Sequence, residues 1–153
     1  MWLGVFTMVQ MTMKDIEVFL SEPRTATFAT VSPNQIPQLT TVWFLYDQKI
    51  FYFGIERSSV KYKNIKKNSN IAACIDGDFP DARTLVVYGK AELIEVETPE
   101  SEKIQWELIV KYHETEQQAR DYQNVILTDL DLVLIKLEPT KIIAMDFNKN
   151  NLK

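Results

Sequence analysis

The sequence predicts a mainly β fold, six to seven antiparallel strands closed into a split, Greek-key-like barrel with short flanking helices. Short runs of β-branched and aromatic residues recur along the chain, and helical periodicity is confined to three places. The early runs are joined by polar links too brief for a parallel crossover, which leaves antiparallel pairing. Strands in this number favour closure, because closing the sheet removes its exposed edges.

Thr12 followed by Asp15 forms a capping-box pattern with aspartate in place of the usual Glu or Gln, and Ile16, Phe19 and Leu20 follow at helical spacing. The helix predicted over 13–21 stops before Pro23. Residues 25–31 alternate small polar and apolar side chains as a strand does, and Ser32-Pro33-Asn34-Gln35 supplies turn chemistry. A second strand is predicted over 36–46, ending in Val42-Trp43-Phe44-Leu45-Tyr46. Beyond Asp47-Gln48-Lys49 the run Ile50-Phe51-Tyr52-Phe53-Gly54-Ile55 is a third strand, and the short link makes the pair a hairpin.

Residues 58–68 break the alternation and read as a two-turn helix, followed by a fourth strand over 70–76 and a loop at Gly77-Asp78-Phe79-Pro80-Asp81. A long strand is predicted over 83–96, with Gly89 permitting a bend or bulge. Thr98 as N-cap, Pro99 at the first helical position and acidic residues in the first turn start a helix whose apolar positions Ile104, Leu108 and Ile109 continue toward Tyr112. A second helical piece spans 114–123, and strands over 131–137 and 141–146, on either side of Glu138-Pro139-Thr140, end the pattern. The expectation is one domain over 1–153, with 1–12 as an N-terminal extension and 98–123 as a helical excursion.

A net charge of −4 argues against a general nucleic-acid binder, which needs a basic face to neutralise phosphates, so any anion site must be local. One cysteine, Cys74, excludes an internal disulfide and fits a reducing cytoplasm, the expected location. With a single histidine it cannot build a Cys/His metal site, and no metal is expected. Residues 1–10 are apolar but lack a positive n-region and a small-residue cleavage site, and no apolar run reaches the roughly 20 residues that cross a bilayer.

The most informative stretch is 57–67, which carries Arg57, Lys61, Lys63, Lys66 and Lys67 and no acidic residue. Ser58 or Ser59 can cap the helix, leaving backbone N–H groups and the positive end of the dipole to face an anion. Lys61 shares a face with the core-directed Ile65, whereas Lys63, Lys66 and Lys67 project elsewhere and suit a solvated face. His113 reads as a solvated or dipole-stabilised histidine near a helix end, and Trp106 and Tyr112 read as packing aromatics.

In order and spacing, residues 24–31, Ile36-Pro37-Gln38, residues 42–47, Phe51-Tyr52-Phe53 and residues 59–65 resemble the pyridoxamine 5'-phosphate oxidase-like split-barrel family. Residues 87–93 and Leu137-Glu138-Pro139 extend the likeness, which covers 20–147. The resemblance implies a flavin mononucleotide (FMN) at a homodimer interface, its phosphate held by Ser59 and Lys61 with Arg57 or Ser58 assisting. It implies contacts to the isoalloxazine ring from Thr40, Thr41, Val42 and Trp43, with Gly54 and Ile55 lining the same groove. The implied activity is an FMN-dependent oxidoreductase acting on a small molecule. The alternatives are a reductase using the deazaflavin F420 and a flavin-binding module without turnover. Residues 146–153 lack the arginine- and proline-containing substrate segment of the oxidase itself, so vitamin B6 oxidation is not carried over.

Overall fold

A computed structural model describes residues 9–149, and residues 1–8 of the expected extension lie outside that span. The described elements are β1 (Val9–Gln10), α1 (Met13–Ser21), β2 (Ala26–Val31), β3 (Pro37–Val42), β4 (Phe44–Asp47), β5 (Ile50–Glu56), α2 (Val60–Lys67), β6 (Asn70–Asp76), β7 (Arg83–Ile94), α3 (Pro99–Lys111), α4 (Glu116–Val125) and β8 (Leu132–Asp146). Seven strands form an antiparallel sheet in the order β3-β2-β6-β7-β8-β5-β4, and β1 adds to β8.

β3 and β4 are the two ends of that order, yet only Trp43 separates them in the chain. The sheet is therefore curled until its edges approach at Trp43. Across the interior Phe28 of β2 meets Phe53 of β5, strands that are not neighbours in the sheet, with ring centroids 5.0 Å apart. Phe19 of α1 joins Phe28, Phe44, Phe51, Phe53, Ile75, Leu85, Ile135 and Leu137 as the fully buried centre of this half-barrel.

Residues 36–46 are not one strand. Val42 pairs with Ala26 on one edge of the sheet and Phe44 with Phe53 on the other, so the chain changes edges at Trp43. The two final strands are instead a single one that runs through Pro139. Pairing of β8 with β5 ends at Leu137, so no partner there needs the N–H that proline lacks. Against β7, Tyr88 pairs with Lys141 and Gly89 with Pro139, which leaves Thr140 bulged, its hydroxyl donating to the Tyr88 carbonyl at 3.1 Å. Gly89 is required by this approach, because a Cβ there would stand 2.5 Å from Leu137 Cδ1 and 2.8 Å from the Glu138 carbonyl oxygen.

The local signals hold where they are local. Thr12 and Asp15 cap α1 reciprocally at 3.1 Å, and Thr98 caps α3 with Pro99 at its start. The β4–β5 hairpin turns on Gln48 and Lys49, both left-handed at φ 47° and 68°, the geometry a two-residue hairpin loop demands. No described helix is long and apolar enough to cross a membrane.

Candidate functional site

Ser59 is the N-cap of α2: its hydroxyl accepts from the Tyr62 N–H at 3.3 Å and donates to the Glu56 carbonyl at 2.6 Å. The next two amides, of Val60 and Lys61, have no acceptor among the described residues. They leave the positive end of the helix open to an anion. Lys61, in the same turn, forms no ion pair among the described residues and lines a cavity beside the helix start.

Two of the other cations of this stretch are engaged, whereas Lys63 and Lys67 are exposed, form no ion pair among the described residues and do not line the cavity. Arg57 pairs with Glu95 and, at 3.0 Å, with Asp131, and donates to the Tyr62 hydroxyl at 3.3 Å. Glu95 is the main cause that raises the Arg57 pKa, and hydrogen bonds from Tyr62 and Arg57 in turn lower that of Glu95. Lys66 reaches Glu95 at 3.3 Å. Ser58 is exposed and donates to the Glu56 carboxylate at 3.1 Å. Neither Arg57 nor Ser58 lines the cavity.

The cavity, about 400 Å³, opens at the seam where β3 gives way to β4. Thr41, Val42 and Trp43 form one wall, and Gly54, Ile55 and Glu56 on β5 form the floor. A Cβ added at Gly54 would meet nothing within 4 Å, so this strand position is kept free of a side chain although there is room for one. Thr40 lies off the cavity, and its buried hydroxyl has no hydrogen-bond partner among the described residues. Seven of the ten residues expected at the site thus meet around one space: Thr41, Val42, Trp43, Gly54, Ile55, Ser59 and Lys61.

The opposite wall belongs to elements that gave no such signal in the sequence. Gln105, Leu108 and Ile109 of α3, Tyr122 of α4, and Leu127 and Leu130 of the following loop close over β8 at Leu132, Val133 and Leu134. Apolar helical spacing marked Leu108 and Ile109 as buried but could not say against what. Trp43 anchors this side. Its ring stacks on Tyr112 at 4.5 Å and 3°, meets His113 edge-on at 5.9 Å and lies 5.3 Å from Tyr122. His113 is half-buried at the end of α3, as a dipole-stabilised histidine would be: its Nδ1 lies 2.7 Å from the Ile109 carbonyl, and its ring packs between these aromatics. One end of the cavity is therefore cationic and rich in donors, and the other is aromatic and apolar.

Residues 12–145 match the family described as Pyridoxamine 5'-phosphate oxidase. Among solved structures, the chain is similar to an F420 reductase at 26% identity, covering 82% of this chain and 94% of that one with a TM-score of 0.61. A conserved hypothetical protein from Mycobacterium tuberculosis shares 22% identity over 93% of this chain and 88% of its own, with a TM-score of 0.72. An FAD-binding protein from Mesorhizobium loti shares 13% identity over 92% and 98%, with a TM-score of 0.65. The last two likenesses are of fold alone. No curated protein is similar enough to match.

Proposed function

The chain belongs to the pyridoxamine 5'-phosphate oxidase family, and from that premise we propose that it is an FMN-dependent oxidoreductase with its cofactor in the seam cavity. One observation carries the reading: a single cavity joins a lysine and two amides, unpaired among the described residues, to a floor left open at Gly54 and an aromatic wall. A flat heterocycle bearing a phosphate needs both ends. The amides of Val60 and Lys61 and the Lys61 ammonium would hold the phosphate, while Ser59 keeps the helix end formed around them. Thr41, Val42 and Trp43 on one side, and Gly54 and Ile55 on the other, would flank the ring. Arg57 acts at one remove, holding Glu95 and Asp131 in its own network instead of leaving both carboxylates to repel the anion.

A bound flavin supplies hydride chemistry at its N5, so the protein provides position, electrostatics and exclusion of water, not a nucleophile. Leu108, Ile109, Leu127 and Leu130 supply the exclusion. The same reading makes the protein a cytoplasmic homodimer. Ile36 and Leu39 are 62% and 63% exposed on the hairpin leading to Thr41, and Val60 is 54% exposed beside the phosphate end. Apolar side chains left exposed on this hairpin and at the start of α2 suit cover by a second subunit.

A second reading, F420 in the same cavity, is favoured by the likeness to an F420 reductase. The longer, anionic tail of that cofactor needs further cations beyond Lys61. Here Arg57 and Lys66 are already paired, Lys63 and Lys67 do not line the cavity, and the acidic Glu56 does, which favours FMN. The test combines mass analysis of the cofactor released from purified protein with FMN titration of Gly54→Val. This substitution should fold, since a Cβ at this position meets nothing within 4 Å, and should block the ring. Wild-type affinity in Gly54→Val would remove the cofactor from this cavity, and released F420 would replace the first reading by the second.

A further inference from the structure

Phe44 begins β4, which pairs with β5 on one side only and is an end strand of the sheet. Its free edge would ordinarily present a backbone N–H and C=O ready to pair with another strand. Both groups are taken by side chains from the end of α3. The Tyr112 hydroxyl accepts from the Phe44 N–H at 3.0 Å and donates to the Arg24 carbonyl at 2.6 Å. Lys111 Nζ donates to the Phe44 carbonyl at 3.0 Å and to the Leu20 carbonyl at 2.9 Å, and it stands 3.6 Å from the centroid of the Phe44 ring. The end of α1, the segment leading into β2 and the start of β4 are thus tied at one point. The residue before Phe44 is Trp43, whose ring lies flat on Tyr112 and lines the cavity.

Packing alone does not call for these residue types. A buried ammonium without a carboxylate partner is unfavourable compared with an apolar side chain of the same size, unless hydrogen bonds satisfy it. Here the ammonium and the phenol satisfy the backbone groups by which β4 would otherwise zip to a neighbouring strand and narrow the seam. We infer that Lys111 and Tyr112 are positioning residues of the seam cavity: they hold the edge of β4 away from strand pairing and fix Trp43 as the cavity wall. This rests on the reading of the cavity as the flavin site, and it assigns neither residue a contact with the cofactor.

The test uses the full chain with Trp2→Phe and Trp106→Phe, which leaves Trp43 as the sole tryptophan, and adds Tyr112→Phe or Lys111→Met. Tyr112→Phe keeps the stacked ring and removes only the hydroxyl. Both variants should raise the FMN Kd about tenfold, the effect of one hydrogen bond on the bound geometry. Both should also increase acrylamide quenching of Trp43 well below the melting temperature. A merely structural role would lower Tm and move neither readout in the folded protein. Kd within about twofold of the parent with unchanged quenching overturns the inference, and Lys111→Met decides it alone if Tyr112→Phe does not fold. If the parent binds no flavin, the flavin reading fails separately and the Trp43 quenching still decides the positioning role.

Discussion

Lys61→Ala and Lys66→Ala each remove one positive charge from the same short helix, and their effects on FMN binding should differ by an order of magnitude or more. Lys61 lines the cavity in the first turn, beside the free amides of Val60 and Lys61, with no ion-pair partner among the described residues. Five positions on, Lys66 lies about 140° around the helix at 100° per residue, and its ammonium is 3.3 Å from Glu95. A charge-assisted hydrogen bond from Lys61 to a phosphate is worth about 1.5 to 3 kcal/mol, or one to two decades in Kd. Loss of Lys66 leaves Glu95 still held by Arg57 and Tyr62 and acts on the cofactor only through screened attraction, below about 1 kcal/mol. Titration of both apo variants with FMN at low and high salt measures the difference. Equal losses that vanish together in high salt would reduce α2 to a basic surface and refute the phosphate site.

Light scattering of the flavin-loaded protein at micromolar concentration should give twice the chain mass, and a flavin-bound monomer would contradict the dimer. Gly89→Ala should destabilise by about 1 to 3 kcal/mol as overpacking does, read by urea unfolding, because its Cβ would press on the Glu138 carbonyl at 2.8 Å, a backbone atom that cannot swing away. Burial pushes Lys111 down to about 7 in the folded protein, against about 10.4 for a free lysine. Between those values the unfolded chain binds a proton that the folded one lacks, so this residue's contribution to stability rises with pH over that window. Lys111→Met should therefore have a shallower rise in unfolding free energy from pH 7 to pH 9 than the parent, and parallel curves would show that Lys111 stays charged.

Features decided within a few residues were legible in the sequence. Thr12 with Asp15 and Thr98 with Pro99 mark helix starts by chemistry that needs no tertiary partner, and Gly89 marks the bulge because little else allows so close an approach. The angle between Lys61 and Lys66 also follows from helix geometry alone. The seam was not legible. Whether 36–46 is one strand or two depends on which edge each half pairs with, and Val42-Trp43-Phe44-Leu45-Tyr46 is equally strand-like on either side of the break. Pro139 looked like a terminator because its sequence cannot reveal that β5 has already ended opposite it. Lys111 carried no signal either, since a lysine near a helix end ordinarily sits in water and only the docking of α3 against β4 buries it, and Tyr112 was legible as a packing ring but not as the partner of the Phe44 backbone.

Two cavity residues oppose the local preferences of the elements that carry them, and their removal should therefore stabilise the free protein. Gly54 occupies the interior of β5, where glycine is less stable than alanine by roughly 0.5 to 1 kcal/mol, in ordinary strand geometry with open space above it. Lys61 places a positive charge in the first turn of α2, against the positive end of the helix dipole, a repulsion of about 0.3 to 1 kcal/mol, with no carboxylate among the described residues to offset it. A fold selected for stability alone would carry a β-branched residue at one position and a neutral or acidic residue at the other. Departures of this kind concentrate at functional sites, and these two meet in one cavity. The double variant Gly54→Val/Lys61→Ala should gain about 1 to 2 kcal/mol without cofactor, a rise of roughly 2 to 8 °C in Tm, while losing FMN. Gly89→Ala has the opposite sign because its Cβ meets backbone. Calorimetry of the apo proteins checks the contrast. A double variant less stable than wild type would show that Gly54 and Lys61 serve the fold, and that their meeting at the cavity has no bearing on a ligand.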